Sequence, residues 1–359
     1  MMKTIKYIIV SVLAMLATTS CNTFDIEDIY DYNAELVWND QSLVNAYMAN
    51  LYANVFSNWS PSLDQSTQQL SGIVFYPDRI NMTNGEYKLW NYTNIRLINE
   101  AIQNVSAGNL PDNFKNEIIA QSKFLRAYVY FDMVVYHGGV PYITVPQDKD
   151  KDDLYVKRNS TKECFDLIIK DLDDAIGDLP ERISTSSANF GKIDGCFATA
   201  FKAKVLLYKA SPQFNPSNKW DNAYWKEAYA ANEAAYNKLK GLGYALTPDY
   251  ANIFLNERGP EVVFSVINTY PNKTANWDYG VRPGSESRGN AWASPTWDFV
   301  KEFPMKDGKL YNDPTSKYYK TDVNFLQSYW LNRDPRFDKS VVWNGSVYEV
   351  SNKKGNRQY

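Results

Sequence analysis

Apolar side chains recur at helical spacing from Asp40 to about residue 240, and stretches rich in Gly, Pro, Asn and Ser interrupt them. The clearest example is 112–137, where one stripe of the predicted helix is apolar. This stripe consists of Phe124, Ala127, Tyr128, Phe131 and Val135. Two glycines and a proline follow in Gly138 to Pro141, and because they cannot continue a helix, the pattern predicts that the helix ends there.

A second helix is predicted over 160–179. Its start is marked by Ser160 and Glu163, the spacing of a capping box, in which each side chain accepts a hydrogen bond from the backbone N–H of the other residue. The buried face consists of Phe165, Ile168, Leu172, Ala175 and Leu179. Pro180 ends the helix.

Four further helices fit the pattern, at 41–56, 88–106, 194–210 and 220–240. Their short connections favour antiparallel neighbours. The predicted fold class is therefore mainly α, with stacked helical hairpins, an irregular loop-rich face and a few short strands. Ala-x-x-x-Phe pairs at 120/124 and 127/131 are typical of tetratricopeptide packing, but no repeat of about 34 residues is evident. Beyond Thr247 the pattern changes to loops, and 261–267 is the best candidate strand.

The N-terminus has the pattern of a signal peptide. Lys3 and Lys6 precede an apolar run over 7–17, which is too short to span a bilayer as a helix. Small residues then lead into Cys21, as a lipoprotein signal peptidase requires. We therefore expect residues 1–20 to be removed and Cys21 to be acylated as a membrane anchor. Ordinary cleavage with an unmodified cysteine is the alternative.

Aromatic residues are abundant: 10 Trp, 27 Tyr and 17 Phe make up 15% of the chain. Such a composition is typical of proteins that bind sugars, although rings at helical spacing also fill cores. The net charge is −3 and the 38 basic residues are scattered, so no nucleic-acid partner is expected. Cys164 and Cys196 lie in apolar helical patterns and are interpreted as reduced core cysteines.

Catalytic chemistry has few residues to draw on. His137 is the only histidine, and its place at a helix end favours a structural role in capping the last carbonyls. Zinc sites with histidine and catalytic triads are thereby nearly excluded. No phosphate loop or dinucleotide motif occurs, and no cofactor is expected.

A glycoside hydrolase needs only two carboxylates, and 41 acidic residues leave that alternative open. Asp171, Asp173 and Asp174 form the densest acidic cluster, which is predicted to lie on the solvated face of the 160–179 helix. A surface scaffold that binds protein is a third hypothesis. Incubation with glycans separates the three, because an enzyme releases products, a binding protein retains the glycan and a scaffold does neither.

Seven segments in order resemble the SusD/RagB family of outer-membrane lipoproteins. They are WNYTNIRLINEAI (90–102), KFLRAYVYFDMVVYHGGVPYI (123–143), RNSTKECFDLIIKDLDDAIGDLP (158–180), FKAKVLLYKASPQFNP (201–216), EVVFSVI (261–267), SPTWDFVKEFPMKDG (294–308) and NRDPRF (332–337). The resemblance implies tetratricopeptide-like helical pairs, a non-catalytic glycan-binding role, and delivery of glycan to a SusC-type TonB-dependent transporter. It also implies that the acidic run between Asp25 and Asp31 directs the lipoprotein to the cell surface.

The resemblance divides the chain into a signal peptide (1–20), an N-terminal helical region (21–218) and the start of a C-terminal region (219–359). Family members continue beyond the position of Tyr359, so we expect an incomplete C-terminal region and a marginally stable stack of helices. The family's glycine-arginine pair is Gly191 and Lys192 here, which still supplies a charge.

The glycan-binding surface is predicted between Tyr270 and Trp297, where aromatic and polar residues mix without periodicity. The candidate residues are Trp277, Tyr279, Arg282, Trp292, Asn276 and Asp278. A loop with Trp59, Tyr76 and Arg79 is the candidate second wall. Flat rings match the apolar faces of sugars, while amide, carboxylate and guanidinium groups match sugar hydroxyls.

Overall fold

A computed structural model of the protein describes residues 34–56, 70–71, 90–253, 255–267, 282–283, 294–348 and 356–357. The helices in these ranges are α1 (Ala34–Asn39), α2 (Gln41–Val55), α3 (Tyr92–Ala107), α4 (Asp112–His137), α5 (Thr161–Asp178), α6 (Gly195–Ala210), α7 (Tyr224–Gly241), α8 (Trp297–Glu302), α9 (Asp322–Leu326) and α10 (Pro335–Ser340). A 3-10 turn covers Tyr250–Asn252. The strands are β1 (Leu70–Ser71), β2 (Ser294–Pro295), β3 (Val347–Tyr348) and β4 (Asn356–Arg357).

The mainly helical fold is confirmed. All six predicted helices are present, although α3 starts at Tyr92 instead of residue 88 and α7 at Tyr224 instead of residue 220. Consecutive helices from α3 to α7 pack against one another, so helical hairpins are stacked in chain order. Among these helices only the link between α3 and α4 is short, so the contacts between the later helices come from packing of their apolar faces and not from the length of the connections.

The core lies between α2 and α6 and centres on the long helix α4. Phe124, Ala127 and Phe131 of the predicted stripe are buried, and Tyr128 and Val135 pack against them. All five apolar positions of the predicted α5 face are buried as well. Each such side chain contributes about 1.5–3 kcal/mol when it leaves water, which makes this the main source of stability.

The start of α5 has the predicted capping box. The Ser160 hydroxyl accepts a hydrogen bond from the backbone N–H of Glu163 at 3.2 Å. The Glu163 carboxylate in turn accepts one from the backbone N–H of Ser160 at 2.7 Å. Two N–H groups that the helix leaves unpaired are thus satisfied.

The end of α4 depends on two glycines for different reasons. Gly138 has a φ of 69°, a conformation that side chains with a Cβ rarely adopt. Gly139 lies so close to the chain before α5 that a Cβ on it would be 2.0 Å from the carbonyl oxygen of Asn159. The Arg158 guanidinium donates to the carbonyl oxygens of His137 and Gly139. The chain therefore turns back tightly from α4 toward α5.

The predicted strand at 261–267 is wrong, since these residues form no ladder. Phe264 instead packs its ring on aromatic side chains of α2 and α6. In the part of the chain that the structure describes, strands occur as two antiparallel pairs, β1 with β2 and β3 with β4. The apolar pattern of 261–267 reflects contact with helices and not pairing in a sheet.

The segment NRDPRF organises the short C-terminal helices. Arg333 is buried and donates to the carbonyl oxygens of Val300 at 2.6 Å and Phe303 at 2.7 Å, at the end of α8. Asp334 caps α10, which opens with Pro335 at its first position. Arg333 thus connects α8 to α10 and donates hydrogen bonds to carbonyl oxygens that have no partner within α8.

Cys164 and Cys196 are buried and free, so their interpretation as reduced core residues is confirmed. No helix in the described ranges is both long and apolar enough to cross a membrane.

Candidate functional site

Most of the predicted glycan-binding residues lie outside the described residues. They are Asn276, Trp277, Asp278, Tyr279, Trp292, Trp59, Tyr76 and Arg79. Arg282 is described and is half-buried. The structure does define the residues that flank both predicted walls, which are the segments 57–89 and 268–293, and these flanks can be located on the helical stack.

The two segments follow residues that touch each other. Phe56 directly precedes 57–89, and Phe264 comes four residues before 268. Their ring centroids are 4.9 Å apart. Phe264 also lies parallel to Phe197 of α6, with centroids 4.3 Å apart and an angle of 5° between the planes. Phe56, which precedes the first segment, and Phe264, which precedes the second, are therefore held at the same part of the stack.

Helix α2, which leads into the first segment, is held by its Tyr52 hydroxyl. This hydroxyl donates to Oε1 of Gln121 on α4 at 2.8 Å and accepts from the backbone N–H of Ile193 at 2.9 Å. Burial raises the pKa of Tyr52, so the group stays a neutral donor and acceptor. The end of α2 is thus positioned against both α4 and the turn before α6.

The strand pair β1–β2 makes a second connection between the two segments. Leu70 lies opposite Pro295, and Ser71 lies opposite Ser294, in antiparallel register. Leu70 and Ser71 fall in the interior of 57–89, while Ser294 and Pro295 follow directly after 268–293. The described flanks of the two predicted walls therefore meet at two places, Phe56 with Phe264 and β1 with β2.

Lys192 lies close to the same flanks. Gly191 has a φ of 97°, and a Cβ there would be 3.2 Å from Cγ1 of Ile267, the last described residue before 268–293. Lys192 lines a shallow cleft together with Asp194 and Phe264. The Gly191–Lys192 turn before α6 thus packs next to Ile267, the last described residue before that segment.

Trp90 is an exposed aromatic residue at the end of the 57–89 segment that the sequence pattern assigned to a helix. The side chain is 47% exposed, and its ring stacks on His137 with centroids 4.2 Å apart and an angle of 8° between the planes. The ring of Tyr92 is nearly parallel to it as well. The sequence indicates this flat exposed surface through a tryptophan that lies just before a helix and next to a segment rich in polar residues.

His137 has a structural role, as expected, but it does not cap the end of α4. Its ring stacks on Trp90, and the carbonyl oxygens at the end of the helix are served by Arg158. Burial, together with the Arg158 charge, lowers the pKa of His137 below its ordinary value of 6.5. The imidazole is therefore neutral at pH 7, so its stacking on Trp90 does not remove a charged group from water.

The prediction that Asp171 lies on a solvated face is wrong. Its side chain is buried and forms a two-pronged ion pair with Arg126, at 2.6 Å and 2.8 Å. The Tyr142 hydroxyl donates to the same carboxylate at 2.9 Å. Arg126 also donates to Oδ1 of Asn99 at 2.9 Å, so the charged pair is fully hydrogen-bonded inside the core.

Of the other two members of the acidic cluster, Asp173 is exposed, as predicted, whereas Asp174 is partly buried, and each is paired. Asp173 pairs with Lys202, and Asp174 pairs with Lys123 and Lys170. Every carboxylate of this cluster thus has a cationic partner. Within the described ranges no group of three or more His, Cys, Asp or Glu side chains is placed to hold a metal ion.

Comparison with known proteins agrees with this architecture. Residues 15–207 match the model of a family described as starch-binding and associating with the outer membrane, and residues 260–359 match that of the SusD family. A SusD-like protein of Bacteroides fragilis has a similar structure, with a TM-score of 0.72 at 21% identity over 91% of this chain and 65% of that one. A SusD-like carbohydrate-binding protein of the same species gives a TM-score of 0.68 at 18% identity, over 87% of this chain and 61% of that one.

The stacked helical hairpins define a protein of the tetratricopeptide-like helical class. The chain belongs to the SusD/RagB family. SusD-like protein P38 of Formosa agariphila is 27% identical over 195 residues, which are 50% of this chain and 34% of the relative. SusD-like protein P2 of the same organism is 27% identical over 163 residues, 45% of this chain and 29% of the relative. The chain thus matches about a third of the length of these curated relatives.

Proposed function

We propose that this protein is a cell-surface lipoprotein that captures oligosaccharides or polysaccharides and delivers them to a SusC-type TonB-dependent transporter in the outer membrane. The observation that carries the proposal is the meeting of the flanks of 57–89 and 268–293, through the Phe56–Phe264 contact and the β1–β2 pair. Described residues that adjoin two segments rich in aromatic and polar residues are thereby brought together on the helical stack.

The chemistry of the two segments suits a sugar ligand. Trp277, Tyr279 and Trp292 supply flat apolar surfaces, and their neighbours supply amide, carboxylate and guanidinium groups. Trp90 adds a further exposed ring at the edge of the first segment. Each stacked ring contributes about 1 kcal/mol, so several rings together with hydrogen bonds are needed even for millimolar affinity, near −4 kcal/mol.

The paired state of the acidic cluster supports a binding role over hydrolysis. A glycosidase needs one carboxylic acid with a raised pKa and a second carboxylate across the scissile bond. Asp171 is buried in an ion pair, and salt bridges lower the pKa of Asp174. Asp174 is therefore ionised at neutral pH and is not a proton donor, and the Asp171 carboxylate is already hydrogen-bonded to Arg126 and Tyr142.

The anchor and the transporter complete the proposal. Cys21 follows the apolar run directly, and an acylated cysteine would hold the chain to the membrane, since burial of each CH₂ contributes about 0.8 kcal/mol. Delivery to a transporter fits a protein of a family described as associating with the outer membrane. Labelled palmitate should enter the protein, and a Cys21→Ser variant should be released from membranes. If that variant stays membrane-bound to the same extent, the anchor proposal is wrong.

Glycan capture is tested by electrophoresis through gels that contain soluble starch, laminarin or xylan, with chromatography of the same mixtures for products. We expect at least one glycan to retard the protein and none to be cleaved. A Trp277→Ala, Trp292→Ala double variant should lose nearly all of this retardation without a lower melting temperature. Tyr155→Ala, which removes a ring that is 94% exposed and lies outside both segments, is the matched control.

Three outcomes would count against the proposal. Product release would indicate an enzyme, and a double variant that is retarded as strongly as the parent would place the site elsewhere. Absence of retardation, together with capture of a protein partner, would favour the alternative of a surface scaffold.

A further inference from the structure

The connection between α6 and α7, residues 211–223, exposes a large apolar side chain. Trp220 has 76% of its surface exposed to solvent. Burial of an indole would contribute several kcal/mol to stability, and this position forgoes that contribution. Trp220 therefore contributes little to the core, and its ring is accessible to a ligand.

Side-chain amides hold the connection in one conformation. Asn222 donates from Nδ2 to the carbonyl oxygen of Ala210 at 3.1 Å and to that of Asn218 at 3.0 Å. Asn218 donates to the carbonyl oxygen of Asp221 at 2.9 Å, directly after the tryptophan. These bonds bracket Trp220 on both sides, so its backbone is fixed even though its ring is exposed.

A second tryptophan fixes the orientation of the ring. Trp220 is nearly parallel to Trp225, with centroids 5.7 Å apart and an angle of 16° between the planes. Trp225 donates from Nε1 to the carbonyl oxygen of Lys219 at 3.0 Å and packs against the small core between α6 and α7. The exposed Trp220 ring thus stacks on Trp225, which itself packs against the protein, so the orientation of Trp220 is fixed before a ligand binds.

The surroundings of Trp220 fit a sugar better than a protein partner. Asn218, Lys219 and Asp221, which adjoin it, are all exposed and polar. A stable protein interface needs about 800 Å² on each partner with an apolar centre, whereas one flat ring with hydrogen-bonding neighbours has the size of a single pyranose.

We propose that Trp220 is a second glycan contact, on which one pyranose ring of a bound polysaccharide stacks. The inference rests on the proposed function, because it assumes that the protein captures glycans. It deepens that function by naming long chains as the preferred ligand class.

The position of Trp220 along α6 supplies the reason for this preference. Phe197, near the start of α6, contacts Phe264, which precedes the first proposed site by four residues in the chain, and Ala210 at the other end of the helix accepts a hydrogen bond from the Trp220 connection. At 1.5 Å per residue, these two positions are about 20 Å apart. One long chain can occupy both contacts, which raises its apparent affinity, whereas a short oligosaccharide occupies one at a time.

The test compares a polysaccharide with its own trisaccharide. For whichever of soluble starch, laminarin and xylan retards the protein, Trp220→Ala should weaken polysaccharide binding about fivefold, the loss expected for one stacked ring. Calorimetry with the matching trisaccharide should show an unchanged dissociation constant at the stronger site. Trp220→Phe keeps a smaller ring and should give an intermediate loss, while Tyr155→Ala should have no effect.

Combining Trp220→Ala with the substitutions at the first proposed site separates the two proposals. The Trp277→Ala, Trp292→Ala variant should keep a weak retardation by polysaccharide, and addition of Trp220→Ala should remove it. Unchanged polysaccharide affinity in Trp220→Ala with an unchanged melting temperature overturns the second contact alone. If Trp220→Ala weakens binding but the double variant does not, the second contact stands and the first site fails. Loss of transporter or vesicle binding without loss of glycan affinity would overturn the inference in favour of a protein or membrane contact.

Discussion

Phe264 lies flat against Phe197, and this contact attaches the chain after α7 to the first turn of α6. The ring centroids of Phe264 and Phe197 are 4.3 Å apart. The ring centroid of Phe56 lies 4.9 Å from that of Phe264. Three distant parts of the chain thus share one aromatic cluster.

Replacement of Phe264 by alanine should lower the free energy of unfolding by about 2 kcal/mol, below the full range for a buried phenylalanine because the residue is only half-buried. Urea denaturation measures the change. Val266→Ala, two residues along and 38% exposed, should cost less than about 0.5 kcal/mol. Equal losses in the two variants would mean that the ring contacts add nothing specific.

Asp171 should be far more important to stability than its neighbour Asp173. Asp171→Asn removes the partner of a buried guanidinium and should cost about 3–5 kcal/mol, because Arg126 remains charged in the core. Asp173→Asn removes an exposed pair with Lys202 and should cost less than about 1 kcal/mol. Denaturant titration of both variants checks the difference, and a loss below 1 kcal/mol for Asp171→Asn would contradict it.

The α5 capping box should contribute to stability in a pH-dependent way. Hydrogen bonds from the backbone N–H and then the hydroxyl of Ser160 lower the pKa of Glu163 below its ordinary value of 4.5. A carboxylate with a lowered pKa stabilises the folded state above its unfolded pKa, and this contribution is lost as the pH falls through the lowered value.

The difference in melting temperature between the parent and Glu163→Gln should therefore be largest near pH 6 and should shrink toward about pH 3. Ser160→Ala should cost about 1 kcal/mol at neutral pH through loss of the cap. Ser217→Ala, an exposed serine in the α6–α7 connection, serves as the control. A Glu163→Gln difference that stays constant with pH would show that the charge does not contribute.

Two glycines should respond in opposite directions to replacement by alanine. Gly139→Ala should cost about 3 kcal/mol, since its Cβ would meet backbone atoms of Asn159, Ser160 and Thr161 within 2.9 Å. Gly177→Ala, in α5 with nothing within 4 Å of the added Cβ, should stabilise the protein by about 0.5–1 kcal/mol. Thermal melts of the two variants test both signs, and a neutral Gly139→Ala would contradict the close approach.

Three features of the structure do not follow from the local sequence pattern. Trp90 falls within the predicted helix at 88–106, but it lies before α3, and its exposed ring stacks on His137. Asp171 stands among polar residues of α5, and its burial depends on Arg126, which comes from another helix. The apolar run at 261–267 has the composition of a strand, but no neighbouring strand pairs with it.

Local sequence patterns predict the helices, the cap at Ser160 and the break after His137, because each depends on residues within a few positions of one another. Family membership follows from the order of seven segments along the chain. Which carboxylate is buried, and how the flanks of 57–89 and 268–293 meet, follow instead from tertiary contacts. Those outcomes depend on partners far away along the chain, such as Phe56 for Phe264 and Ser71 for Ser294. Their proximity follows from the packing of the whole helical stack, which local periodicity does not encode.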